Sequence, residues 1–161
     1  MGNEIRGLIA GGSSRDTITY FNIATKGNTS VFGSLTRAHN NMAGASSPTR
    51  GIFAGGGASD VEYNIIDYVT IATTGNAQDF GDLTYTKTHN SAGGSSSTRM
   101  IIAGGNDSPG FTAVNTIDYI TISTIGDALD FGDLTAAAHG GAVMSNSVRA
   151  VIYLGGTDSN S

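Results

Sequence analysis

The feature that most constrains this sequence is an internal repeat. An arginine followed by a short apolar run and two glycines occurs four times, at Arg6–Gly12, Arg50–Gly56, Arg99–Gly105 and Arg149–Gly156. Successive arginines are 44, 49 and 50 residues apart. A spacing of this kind indicates that one structural unit is built several times in tandem, so the fold must be explained at the level of that unit.

Two further blocks repeat in phase with the first. A tyrosine-containing block reads ITYFNIATKGN from Ile18, IIDYVTIATTGN from Ile65 and TIDYITISTIGD from Thr116. A block of the form Phe-Gly-Ser/Asp-Leu-Thr follows at 32–36, 80–84 and 131–135. We therefore predict one repeat domain over residues 1–161, with repeats at approximately 6–49, 50–98 and 99–148 and a partial repeat at 149–161.

Each block predicts a β-strand. The arginine-led runs are short and apolar and stop at Gly-Gly, which is typical of a strand buried on both faces. In the tyrosine block, alternation would place Ile66 and Tyr68 on one face and Val69 on the other, so both faces carry large apolar groups. No segment has the 3.6-residue period of an amphipathic helix. The chain is therefore expected to be all-β.

Composition excludes several classes of function. The net charge of −5, without a cluster of Lys or Arg, argues against binding to nucleic acid. No apolar run approaches the roughly 18 residues of a membrane span, so no membrane partner is expected. The chain has no cysteine, which excludes disulfides and thiolate metal sites. Nucleophile-elbow, P-loop, dinucleotide and HExxH motifs are missing, and we predict that the protein is not an enzyme.

The repeated unit resembles a kelch repeat. The residues that carry the resemblance are Ala54-Gly55-Gly56, Tyr68, Phe80, Leu83-Thr84 and His89, with equivalents in the other copies. It departs from the kelch pattern in having phenylalanine where tryptophan is usual, and the chain contains no tryptophan. The resemblance implies blades of a β-propeller, each made of four antiparallel strands.

The sequence pattern IDYxTIxTxGxAxDFGDLT also looks like repeats in structural and tail proteins of marine, cyanophage-like tailed phages. That resemblance implies a structural component located in a virion. The expected partners are copies of the chain itself or other structural chains. One alternative is a receptor-binding module of a tail fibre that binds a cell-surface glycan, and a weaker alternative is a propeller hydrolase.

About three repeats do not close a ring. We name the strand after each Leu-Thr A, the arginine-led strand B, the tyrosine strand C and the Phe-Gly strand D. The predicted order of strands along the chain is then BCD, ABCD, ABCD, AB. Propellers need about four to eight blades, so one chain alone would leave faces and edges open. Either several chains complete the ring, for example two chains with about six blades, or the sequence is a segment of a longer array.

Three sets of polar residues invite a chemical interpretation. His39, His89 and His139 recur once per unit and could converge on a metal or bond locally to backbone. Asp79, Asp82, Asp130 and Asp133 lie on Gly-bearing turns that could hold calcium, or could cap those turns. No other cofactor is expected. The repeated arginines could pair with Asp67 or Asp118 across strands, which would be a structural role.

The segments between strands B and C depart most from the repeat. They cover residues 13–17, 57–63 and 106–115, and are predicted to be loops. Loops on a rigid scaffold are where binding residues concentrate. We therefore take Tyr63, Asp107 and Phe111 as candidate ligand-binding residues, with Tyr63 and Phe111 as exposed aromatic groups for a glycan.

Overall fold

The computed structural model describes residues 6–13, 15–58, 61–88, 91–107, 112–153 and 155–157. This part of the chain is all-β, with antiparallel sheets and no helix, as the sequence predicts. In chain order its strands are β1 (Arg6–Ala10), β2 (Thr17–Asn22), β3 (Ser30–Ser34), β4 (Ala43–Ser46), β5 (Arg50–Ala54), β6 (Gly57–Ala58), β7 (Val61–Glu62), β8 (Ile65–Thr70) and β9 (Gln78–Asp82). They continue with β10 (Lys87–Thr88), β11 (Ala92–Ser95), β12 (Arg99–Ala103), β13 (Asn106–Asp107), β14 (Thr112–Ala113), β15 (Thr116–Thr121), β16 (Leu129–Asp133), β17 (Ala142–Ser145) and β18 (Ala150–Tyr153).

Four main sheets follow one another along the chain. The first has the order β1-β2-β3, the second β4-β5-β8-β9, the third β11-β12-β15-β16, and the fourth contains β17 and β18. Two small sheets, β6-β7 and β10-β13-β14, contain the short strands between the arginine-led and tyrosine strands, and β10, which precedes β11, joins the second of them. The segments 57–63 and 106–115, predicted to be loops, therefore contain short strand pairs. In the described residues no sheet closes on itself.

A pair of left-handed glycines ends the arginine-led strand. Gly55 and Gly56 have φ values of 70° and 87°, a conformation that other residues rarely adopt. A Cβ atom on Gly56 would also lie 2.2 Å from the carbonyl oxygen of Asn40. The repeated Gly-Gly is thus required both by the backbone turn and by the close approach of another segment.

The sheets pack face to face and bury both sides of the second sheet. One apolar cluster joins the first and second sheets and includes Ile18, Phe32, Leu35, Phe53 and Val69. The other joins the second and third sheets and includes Ile52, Ile66, Phe80, Met100, Ile102 and Ile122. The alternation in the tyrosine block thus correctly predicted a sheet covered on both faces.

The first strands of the second, third and fourth sheets, β4, β11 and β17, lie side by side. Oγ of Ser95 in β11 donates to the carbonyl oxygen of Ser46 in β4, at 2.7 Å. Oγ of Ser145 in β17 donates to the carbonyl oxygen of Ser95 in the same way, at 2.8 Å. This serine ladder fixes the spacing of neighbouring sheets along one edge.

Candidate functional site

Each of the first three sheets contains a stacked arginine, tyrosine and phenylalanine. In the second sheet the Arg50 guanidinium carbon lies 4.7 Å from the centroid of the Tyr68 ring, and Tyr68 meets Phe80 edge-on. The same stack recurs as Arg6–Tyr20–Phe32 and as Arg99–Tyr119–Phe131. A cation above an aromatic face is attracted to it, and here the stack also points the guanidinium toward the next sheet.

The stacked arginine bonds to the following sheet. Nη1 of Arg6 donates to the carbonyl oxygen of Ile71 at 2.8 Å, and Nη1 of Arg50 donates to that of Ile122 at 2.7 Å. Both acceptors directly follow the tyrosine strand of the next sheet. The predicted pairing of these arginines with aspartates is wrong for Arg50, whose partners are a ring and a carbonyl group.

The repeated aspartate instead binds a threonine of the preceding sheet. Oδ2 and Oδ1 of Asp67 accept the backbone N–H and the hydroxyl of Thr36, at 2.9 and 2.7 Å. Asp118 accepts the same two groups of Thr84, at 3.3 and 2.6 Å. Both carboxylates are buried, and a buried charge is stable only when donors replace the lost water.

A β-bulge positions this aspartate. The pairing of β8 with β9 shifts register between Ile66 and Asp67, and that of β15 with β16 shifts between Ile117 and Asp118. A bulge re-aims the side chain that follows it. In the first sheet the shift falls between Ile18 and Thr19, so a threonine stands at the aspartate position there.

The turn after the tyrosine strand extends the contact along the edge of the previous sheet. Gly75 and Ala77 donate backbone hydrogen bonds to β3, and Oδ1 of Asn76 accepts from the backbone N–H of Ser34 at 3.1 Å. Gly126, Asp127 and Ala128 repeat this pattern on β9. A Cβ on Gly33 would lie 2.1 Å from the carbonyl oxygen of Gly75, which explains the glycine in the Phe-Gly block.

In the third sheet the equivalent residues are not packed against another sheet within the part of the chain that the structure describes. Phe131 is 53 % exposed, whereas Phe32 and Phe80 are 3 % and 1 % exposed. Arg99 and Thr135 are both exposed. Within the described residues, neither makes the hydrogen bond to a following sheet that Arg50 and Thr84 make. A Cβ on Gly132 would meet no atom within 4 Å.

The fourth sheet leaves room beside this surface. Within the described ranges β18 pairs only with β17, which leaves its other edge open. A cavity of about 470 Å³ separates the two sheets, with Arg99, Ile117, Phe131 and Val148 in its lining. We call Arg99, Phe131, Gly132, Thr135 and the free edge of β18 the open face. It is the candidate functional site, and the only sequence signal for it was the Phe-Gly-Asp-Leu-Thr block that ends at Thr135.

The acidic residues proposed for calcium lie along β9 and β16. Oδ1 of Asp79 accepts from the backbone N–H of Gly81, and Oδ1 of Asp130 from that of Gly132, so both carboxylates bind the backbone of their own strand. Partial burial and the charges of Asp127 and Asp79 raise the pKa of Asp82. Asp133 is exposed at the end of β16. The described residues bring together no group of three His, Asp or Glu that could hold a metal, and calcium stays a prediction.

His39 has the local role that the sequence suggested. It is fully buried, and its Nδ1 lies 2.9 Å from the carbonyl oxygen of Gly55 in its own sheet. Its Nε2 lies 4.0 Å from Oδ2 of Asp67. Burial lowers the pKa of His39, more strongly than Asp67 and the Gly55 carbonyl raise it. His139 is half-buried near Gly156, and His89 lies outside the described residues.

The candidate ligand-binding residues are separated. Tyr63 is half-buried rather than exposed, because the Arg37 guanidinium lies 4.9 Å from its ring centroid and His39 meets it edge-on. Asp107 is half-buried in β13, between β10 and β14. Phe111 lies outside the described residues. Glycan binding through these residues stays a prediction.

No protein-family model matches the chain, and no curated protein matches it. Within the described ranges no helix is long and apolar enough to cross a membrane.

Proposed function

We propose that this chain is a structural protein of kelch-like β-propeller blades, which assembles with copies of itself or with other structural chains. Two four-stranded antiparallel sheets packed face to face support the blade interpretation. The resemblance to repeats of tailed-phage proteins supports placing the assembly in a virion.

One observation carries the proposal. The residues that join the first sheet to the second, and the second to the third, recur in the third sheet, where they are exposed. Exposed apolar side chains beside a free strand edge are typical of an association surface. The open face therefore carries the residues that form one side of an internal contact between two sheets.

The test is the mass of the protein in solution, measured by light scattering over a wide range of concentration. We expect reversible, concentration-dependent association that Phe131→Ser weakens. Tyr85→Ser is the matched control, because Tyr85 is 56 % exposed but lies outside the open face. A mass of one chain at every concentration, unchanged by Phe131→Ser, would overturn self-assembly.

A further inference from the structure

The internal contacts between sheets specify the chemistry that the open face can bind. We propose that it binds a β-hairpin of another structural chain whose first strand contains Ile-Asp-Tyr and whose turn contains Gly-Asn-Ala or Gly-Asp-Ala. Hairpins of this type occur in the second and third sheets of this chain, at β8–β9 and β15–β16. The inference rests on the proposed assembly function and names the partner that the same surface selects.

Thr135 requires an acidic residue in the partner. Thr36 and Thr84 each donate a backbone N–H and a hydroxyl to the two oxygens of one carboxylate. Thr135 follows Leu134 as those threonines follow Leu35 and Leu83, and so presents the same two donors. Hydrogen bonds to a charged acceptor are stronger than those to a neutral one, and a single hydroxyl cannot replace both carboxylate oxygens.

The free edge of β18 provides the place for the incoming strand. β5 pairs with β8 with Arg50 opposite Thr70, and β12 pairs with β15 with Arg99 opposite Thr121. The same register on β18 would put the partner's tyrosine under Arg149, as Tyr68 lies under Arg50. The hairpin would complete the fourth sheet as its third and fourth strands, a form of β-strand addition.

The turn of the hairpin would cover the remaining exposed groups. Gly75 and Gly126 donate to the carbonyl oxygens of Phe32 and Phe80. A third turn of this type would donate to the carbonyl oxygen of Phe131 and bury its ring. The lack of any atom near Gly132 leaves space for this close approach.

A second copy of the chain fits this surface less well. Its first sheet has three strands, but its tyrosine strand carries Thr19 at the aspartate position. The hydroxyl of Thr19 is also directed to the carbonyl oxygen of Ile9, at 3.5 Å. In addition, β1 already occupies the edge of β2 that would have to pair with β18. The two ends of the array therefore match each other less closely than the open face matches an aspartate hairpin, and association between copies should be the weaker contact.

The chain supplies its own matched probes for a binding experiment. Fluorescently labelled peptides of residues 63–84 and residues 15–36 contain the aspartate and threonine forms of the hairpin. Each is titrated against the intact protein and followed by fluorescence anisotropy. We expect the 63–84 peptide to bind about tenfold or more tightly than the 15–36 peptide. The substitution Asp67→Thr in the first peptide should remove this advantage, and Thr19→Asp in the second should confer it.

A substitution in the protein identifies the atoms involved. Thr135→Val should weaken binding of the aspartate peptide and leave binding of the threonine peptide unchanged, giving a coupling between Thr135 and the peptide carboxylate. Equal binding of both peptides, or no coupling to Thr135, would overturn the inference. If the protein self-associates but binds neither peptide, the inference is overturned and the proposed assembly stands. If a monomeric protein binds the aspartate peptide, the inference stands and self-assembly falls.

Discussion

Thr84 and Asp118 are joined across two sheets. The Oγ1 atom of Thr84 donates a hydrogen bond of 2.6 Å to Oδ1 of Asp118, although 34 residues separate them in sequence. The other carboxylate oxygen accepts the backbone N–H of Thr84 at 3.3 Å. Asp118 is 1 % exposed, so one buried side chain replaces water for two donors of the preceding sheet.

The first prediction concerns this carboxylate. Asp118→Asn keeps one acceptor oxygen for the N–H of Thr84, but its amide nitrogen must then donate to the Thr84 hydroxyl. Both hydrogen bonds lose the charged acceptor, and the second amide hydrogen is buried. We expect the free energy of unfolding to fall by about 1–3 kcal/mol, measured by urea denaturation. Asp133→Asn is the control, since Asp133 is exposed, and should change it by less than about 0.5 kcal/mol. Equal effects of the two substitutions would contradict the role of Asp118.

The second prediction compares two arginines at the same position of the repeat. Arg50→Met removes the hydrogen bond to Ile122 and the contact with the Tyr68 ring. We expect a loss of about 1–3 kcal/mol in the free energy of unfolding. Arg149→Met should cost less than about 0.5 kcal/mol, because Arg149 is exposed in the isolated protein. Thermal and urea unfolding of both variants would check the difference, and a larger effect at Arg149 would refute it.

The third prediction uses two glycines with similar backbone angles. Gly81 and Gly132 have φ values of 143° and 135°, so alanine is strained at both. A Cβ on Gly81 would also lie 2.6 Å from the carbonyl group of Gly126. We expect Gly132→Ala to cost about 1 kcal/mol and Gly81→Ala to cost about 1–3 kcal/mol more. Equal unfolding midpoints for the two variants would show that the sheets do not approach closely at Gly81.

The fourth prediction is a dependence of stability on pH. Burial lowers the pKa of His39 below its ordinary value of 6.5, so the unfolded chain binds a proton at a higher pH than the folded protein does. The stability contributed by the neutral imidazole is therefore present above about pH 6.5 and is lost as the pH falls from there toward the lowered pKa. His39→Asn keeps a donor for the Gly55 carbonyl but does not titrate. Urea denaturation from pH 7.5 to 5 should show a shallower loss for this variant, and parallel curves would contradict the prediction.

Much of the secondary structure could be predicted because it depends on local patterns. Strand alternation around Tyr68 and the Gly-Gly stop after Ala54 located β8 and β5 closely, and the number of strands in each main sheet follows the order of the blocks. The short strands β6, β7, β13 and β14 were missed. Two-residue strands carry too few side chains for alternation to be visible.

The contacts between sheets could not be read from the sequence. Opposite charge suggested that Arg50 and Asp67 would pair, but the fold directs the guanidinium to a carbonyl of the next sheet and the carboxylate to Thr36 of the previous one. Those partners are 72 and 31 residues away, and only the packing of the sheets decides which of many polar groups meet. A usable signal existed in the repeat itself, because each Leu-Thr turn at Thr36 and Thr84 is followed by an Ile-Asp-Tyr strand.

The serine ladder gives the molecule a direction. Ser145 donates to Ser95, and Ser95 donates to Ser46, so every hydroxyl of the ladder points toward the amino-terminal end of the row. A contact built in this way is heterologous, because the serine hydroxyl of one sheet meets the backbone of the sheet before it, so two different surfaces are joined. An assembly extended through it therefore has a head and a tail. Two molecules placed head to head would bring like surfaces together and leave both without partners.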